Sequence, residues 1–228
     1  MIPLRDDNPM RTVPFFTVGL IVANVLVFLK QQLSPGGLEL AIARLALRPY
    51  ELTHLADLYP PTPVPIPLTL FTSMFMHGGL LHLGGNMLYL WIFGNNIEDV
   101  LGHFRFLGFY ALCGLIAATV HVLTNVNSPI PMVGASGAIA GVLGAYFVRF
   151  PTARIRVLLF FFIFIQVVYV PAVIVLGFWF LMQLLEASFG AMGTSGGVAW
   201  FAHIGGFIAG MVYMTRRKNR WRRRFRVY

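Results

Sequence analysis

The chain has 228 residues, 57% of them hydrophobic and 11% charged, with a mean hydropathy of +0.74 and a net charge of +9. That apolar content exceeds what a soluble domain of this length hides in one core, which excludes a soluble globular protein and points to a polytopic membrane protein. The positive charge does not indicate a nucleic-acid partner, because eight basic residues follow directly on the last apolar segment, with Trp221 and Phe225 among them and no nucleic-acid motif beside them. A tail lying on anionic lipid accounts for them.

A membrane crossing needs about 20 mostly apolar residues, fewer where neighbours shelter the helix. Six segments qualify: Val13 to Leu29, Leu80 to Ile97, Phe104 to Leu123, Ser136 to Val148, Pro171 to Ala187 and Val198 to Thr215. The expected architecture is an all-α polytopic membrane protein, a six-transmembrane-helix bundle over residues 13-215, with 1-12 as a cytoplasmic N-terminal tail and 216-228 as a basic cytoplasmic C-terminal tail. The first segment has no small-residue cleavage site and is long for a signal peptide, so it is expected to stay as an anchor. After it, Gln31 to Thr69 carries an amphipathic stretch, LELAIARLALRP, and then prolines at 60, 61, 63, 65 and 67 that forbid a helix and favour extended chain, a loop lying on the membrane.

Arg154 to Val170 is also apolar, with two arginines at its start and a proline after its end. Together with the next segment it is too long for one crossing and too short for two, so it is read as partly interfacial, leading into the fifth span. Counting it as a crossing would give seven spans and put the termini on opposite sides. Charge arbitrates: with six spans and an inside N-terminus, fourteen of the 17 lysines and arginines lie inside, and only Lys30, Arg44 and Arg48 lie outside. Glycines 137, 141 and 144 in the fourth span and 205, 206 and 210 in the sixth let these two helices approach closely. The lone Cys113 excludes an intrachain disulfide. Small size and the absence of extra domains point to a bacterial cell (inner) membrane, and nothing in the chain sets an oligomeric state.

The stretch PMVGASGAIAGVLGAYFVRF places Ser136 among glycines at the head of the fourth span. At about 1.5 Å of rise per residue, Ser136 lies roughly 20 Å from Arg149, His203 roughly 20 Å from Arg216, and Asn86 about 18 Å from Glu98, so the three share one layer of the membrane. The fourth span is short because it begins within the membrane, where a cavity open to the outside brings water to the serine. Each residue also has a plainer use, the serine in packing and the histidine or asparagine in interhelical hydrogen bonds. His77, His82 and His203 could ligate a metal, but no carboxylate or cysteine lies close, and a spacing of five from His77 to His82 misses the i, i+4 face of a zinc helix. Proton transport would want an acidic relay, and only Glu186 lies in an apolar run.

Nucleophilic catalysis suits the residue types better. A serine needs a neighbouring base, and His203 is the histidine, besides His82, expected at that depth; with no aspartate there, the unit is a dyad. The Ser136 backbone NH, free at a helix N-terminus, the Asn86 amide and a ring NH of His82 are candidate oxyanion donors. Gly134 and Gly137 permit a tight loop and close approach of a peptide backbone.

These residues resemble the rhomboid family of intramembrane serine proteases. HLGGN (His82 to Asn86) resembles the family's HxxxN, GASG (Gly134, Ala135, Ser136, Gly137) its GxSG, AHIGGFIAG (Ala202 to Gly210) its AHxxGxxxG, and GNNIEDVLG (Gly94 to Gly102) its GxxxExxxG, in the family's order. The resemblance implies a rhomboid-like six-helix bundle that cuts single-span membrane-protein substrates in or near their membrane segments, after a small residue, with no cofactor. It implies Ser136 as nucleophile, His203 as general base and then acid, His82 and Asn86 as oxyanion partners, His77 near the mouth of the site where it helps retain water, and Glu98 in helix-end hydrogen bonding. Two departures stand out. A Trp-Arg pair that some members carry is replaced by PLTLFTSMF (Pro67 to Phe75), and Ala140 stands where some place an aromatic against the histidine, so that another side chain must orient His203. The fifth span and the glycine-rich FGAMGTSGGVAW after it are candidate moving parts at a lateral entrance. The runner-up is a noncatalytic rhomboid-like protein that binds client transmembrane helices.

Overall fold

The computed structural model describes residues 2–161, 164–190 and 199–224. In chain order it runs β1 (Ile2–Asp6), α1 (Phe15–Leu33), α2 (Gly37–Leu45), α3 (Pro49–His54), and α4 (Thr69–Thr72) between 3-10 turns at Ile66–Leu68 and Ser73–Phe75. There follow α5 (Leu80–Tyr89), which passes through a π-helical turn (Leu90–Gly94) into α6 (Asn95–Leu101), then α7 (His103–Thr124) and α8 (Ser136–Arg149). A hairpin, β2 (Arg154–Phe161) and β3 (Phe164–Pro171), leads into α9 (Ala172–Gly190), and α10 (Trp200–Arg224) ends the described chain. Each expected span coincides with a helix, α5 to α6 acting as one. By length and composition α1 and α7 are long and apolar enough to cross a membrane alone, and a third crossing passes when the bent pair Ile66–Phe75 and Leu80–Leu101 is taken together.

The expected all-α bundle is corrected by a three-stranded antiparallel sheet in the order β1-β2-β3. Arg154 to Val170, read as partly interfacial, is the β2-β3 hairpin, paired from Arg154↔Pro171 to Phe161↔Phe164. The run is rich in β-branched and aromatic residues and alternates at its start, with Ile155 and Val157 buried and Arg154 and Arg156 exposed, a period that suits a strand with one face covered. Because a hairpin returns to where it began, the end of α8 and the start of α9 stand together, joined by Ala172 N donating to Ala153 O at 2.7 Å. The N-terminal segment is not a loose tail either: Ile2 to Asp6 pairs with Ile155 to Leu158. Asp6 fastens that strand to the bundle, its Oδ2 accepting from Tyr146 OH at 2.7 Å, Asn96 Nδ2 at 2.7 Å and Asn8 Nδ2 at 3.1 Å. Burial raises its carboxyl above the usual range in spite of the hydrogen bonds from Tyr146 and Asn8.

At the same end, the fully buried Glu98 closes the start of α1. Its carboxylate accepts from Phe16 N at 3.0 Å and Thr17 N at 2.7 Å, backbone donors a helix N-terminus leaves free, and from the Thr17 hydroxyl at 2.7 Å. His103 Nδ1 adds a fourth contact at 2.6 Å. Glu98→Ala leaves these donors buried without an acceptor and is expected to cost about 3 kcal/mol, read as a lower unfolding midpoint in detergent. An unchanged midpoint would remove Glu98 from this role.

The Gln31 to Thr69 loop forms α2 over the amphipathic stretch and runs without helix through most of the prolines, as expected. Its anchor is its own: the buried Arg48 and Glu51 pair at 2.9 Å, and Glu51 also accepts from Leu58 N at 3.0 Å. Leu47 and Met132 exchange backbone hydrogen bonds of 3.1 and 2.7 Å, so the loop grips the segment that delivers Ser136. The glycine-rich stretch after α9 lies mostly outside the described residues, as does Phe225 of the basic tail.

Candidate active site

Ser136 is the first residue of α8, after Ala135, which is fully buried. Gly134 makes this approach possible. Its φ of +126° suits glycine, and a Cβ built there would stand 2.8 Å from His82 Nε2 and 3.5 Å from Ser136 Oγ. Gly134 N donates to Ser73 O at 2.9 Å, pinning the turn. Gly137 lets α8 close on α7, since a Cβ there would meet Ala117 Cβ at 2.7 Å.

His203 lies in the first turn of α10, with Nε2 and Ser136 Oγ sharing a hydrogen bond of 2.8 Å. Two of the three residues placed at one depth from the sequence, Ser136 and His203, are thus in direct contact. Asn86, buried, and His82 both line the same cavity as Ser136 and His203, a space of about 480 Å³. The first-turn NH of Ser136 has no intrahelical acceptor available to it, and the Asn86 amide and His82 ring line the cavity that holds its hydroxyl. His77 differs from its expected place at the mouth. It is fully buried, its Nε2 accepts from Asn86 Nδ2 at 2.9 Å, and its ring meets that of His82 edge-on at 5.1 Å. It thereby fixes the direction of the Asn86 amide. Gln31 of α1 holds His77 in turn, donating to its carbonyl at 3.3 Å and accepting from its NH at 3.1 Å.

The side chains that hold His203 come from α9. Gln183 Oε1 lies 2.6 Å from His203 Nδ1, and the Trp179 ring stands 5.8 Å from the imidazole, tilted by 43°. Trp179 thus brings an aromatic to the imidazole from α9, where α8 offers only Ala140, and sequence reasoning did not single out Trp179 or Gln183. A signal existed. From Ala172 to Leu185 Gln183 is the one polar side chain, and eleven residues at about 1.5 Å each put it roughly 17 Å along α9, in the layer of Ser136.

The profile of the family described as Rhomboid domain matches residues 67–219. Rhomboid protein 1, mitochondrial, of Saccharomyces cerevisiae is 35% identical over 152 residues, covering 64% of this chain and 40% of that protein. Presenilin-associated rhomboid-like protein, mitochondrial, of Homo sapiens is 29% identical over 205 residues, covering 86% of this chain and 47% of its own. Rhomboid protease GluP of Bacillus subtilis is 43% identical over 76 residues, 33% of this chain and 14% of that protein. The chain thus spans less than half the length of these relatives. The expected bacterial cell membrane is overturned by the relatives matched over most of this chain, which are mitochondrial by name, and the cytoplasmic labels of the two tails fall with it. The profile covers two-thirds of the sequence, including every residue of the cavity named above, and on that ground the chain belongs to the rhomboid family.

Proposed function

We propose that the chain is an intramembrane serine endopeptidase whose six helical segments all cross the membrane and whose dyad is Ser136 and His203. The observation that carries this reading is the 2.8 Å hydrogen bond between Ser136 Oγ and His203 Nε2 inside a cavity that also holds Asn86 and His82. His203 takes the hydroxyl proton as Oγ attacks the scissile carbonyl, and the oxyanion forms against the Ser136 NH, the Asn86 amide and the His82 ring. Collapse breaks the peptide bond, His203 returns the proton to the leaving amine, and a water admitted from the face opposite the termini hydrolyses the acyl-enzyme by the same steps in reverse order of roles. No cofactor enters. The substrate is a single-span membrane protein, unwound locally, because backbone engaged in helical hydrogen bonds cannot be laid across a nucleophile. The basic tail rests on anionic lipid. Family membership supports the reading, with a relative named as a rhomboid protease.

The test is cleavage of a generic membrane-anchored substrate by purified wild type and Ser136→Ala in detergent, with fluorophosphonate labelling alongside. Cleavage and labelling that both vanish in Ser136→Ala are expected. Neither cleavage nor label in folded wild type, across several substrates and lipids, would turn the reading to a noncatalytic protein that binds client helices.

The cavity is lined from α5 by Tyr89 and from α9 by Trp179, so a membrane substrate is expected to enter between these helices. Cysteines introduced in α5 and α9 and joined by a short bismaleimide should abolish cleavage of a membrane-spanning substrate while leaving fluorophosphonate labelling intact. The native Cys113 is buried and stays out of the reaction. Full cleavage in a verified crosslinked sample would sink this route.

A further inference from the structure

We propose that Gln183 is a positioning residue that sets the tautomer and the angle of the His203 ring, an inference that rests on the dyad reading above. A carboxamide oxygen only accepts hydrogen bonds. With Gln183 Oε1 at 2.6 Å, His203 Nδ1 must carry the proton, and a neutral imidazole protonated there offers a lone pair at Nε2. That lone pair faces the Ser136 hydroxyl at 2.8 Å, the arrangement a general base needs. In the other tautomer an Nε2–H would point at Oγ and nothing could take its proton.

The ring also needs a fixed angle. Gln183 holds one edge, and Trp179, one helical turn earlier on the same face of α9, stands beside the ring at 5.8 Å, tilted by 43°. Ala140 on α8 gives no such wall, so among the described residues the two restraints on His203 besides the serine come from one helix. An amide is costly at this depth unless bonded, and Gln183 is buried in a helix otherwise apolar through this stretch. The readiness of the base is thereby tied to α9 sitting in its place.

The experiment compares wild type, Gln183→Leu and Gln183→Glu in detergent. Leucine keeps the volume and suits lipid, while glutamate keeps an acceptor at Nδ1. Two readouts are taken: the rate of fluorophosphonate labelling, and the ¹⁵N chemical shifts of His203 in ¹⁵N-histidine protein, assigned by difference against His203→Gln. Gln183→Leu should label about tenfold more slowly, the size of one net hydrogen bond, and should lose the Nδ1–H tautomer. Gln183→Glu should restore both. A leucine variant that labels at the wild-type rate, or slows with its tautomer unchanged, overturns the proposal, and so does a glutamate variant that restores neither. If wild type takes no label, the dyad reading fails, yet the nitrogen shifts still decide whether Gln183 sets the tautomer.

Discussion

Ser136→Ala, His203→Ala and the double variant should all fall to one common floor of cleavage, about 10⁴- to 10⁶-fold below wild type, because a nucleophile and its base act as a unit and losing either loses both. The loss belongs to chemistry and not to folding. Ser136 sits half-buried among glycine and alanine, so alanine fits its place, and His203 gives up one hydrogen bond to the serine and one to Gln183. Unfolding midpoints should therefore stay close to wild type in Ser136→Ala. Asn86→Ala should cost less, about 10²- to 10³-fold, as one oxyanion donor among several. Initial rates on a membrane-anchored substrate read all four variants. Losses that add in the double variant would mean that serine and histidine act in separate steps.

Charges and glycines made much of this site legible in the sequence, and side-chain partners from distant segments did not. α8 starts at Ser136 and ends at Arg149, one residue past the segment read as Ser136 to Val148, because the polar residue after Gly134 and the arginine bound an otherwise apolar run. The hairpin was hidden by composition. An apolar run of β-branched and aromatic residues reads alike as a strand or a buried helix, and the alternation at Arg154 to Val157 covers only four residues. The strand at Ile2 to Asp6 depends on a partner some 150 residues away, which no local pattern announces. Asn86 is legible because its amide lies in a motif beside His82, whereas the equally polar amide of Gln183 stands alone in an apolar run, where only its depth speaks for it. The resemblance puts His77 at the mouth, whereas its ring is buried and its backbone NH and carbonyl are both satisfied by Gln31 of α1, a partner 46 residues away that no local pattern announces.

Gly210→Ala and Gly206→Ala should each weaken the fold sharply and silence the site with it. Two pairs of small residues spaced by four, Gly137 and Gly141 on α8 and Gly206 and Gly210 on α10, bring the helix backbones together. A Cβ on Gly210 would fall on the carbonyl oxygen of Gly141, one on Gly206 on that of Gly137, and one on Gly144 on that of Phe207, each well inside contact distance. These obstacles are backbone atoms of packed helices and cannot swing aside as a flexible side chain would, so the helices must part. The expected cost is about 2–4 kcal/mol, at or beyond the upper range for overpacking. Gly206 follows His203 by three residues and Gly137 follows Ser136 by one, so parting the helices here by about 1 Å lengthens the Oγ to Nε2 contact and should cut labelling about 10²-fold even in the fraction that stays folded. Gly19→Ala on α1, where a Cβ meets nothing within 4 Å, is the control, and the better helix propensity of alanine should raise its midpoint slightly. If Gly210→Ala instead unfolds with Gly19→Ala at or above the wild-type midpoint, the close α8 to α10 contact does not hold the dyad together, and the meeting of Ser136 and His203 must be sought in the α9 side alone.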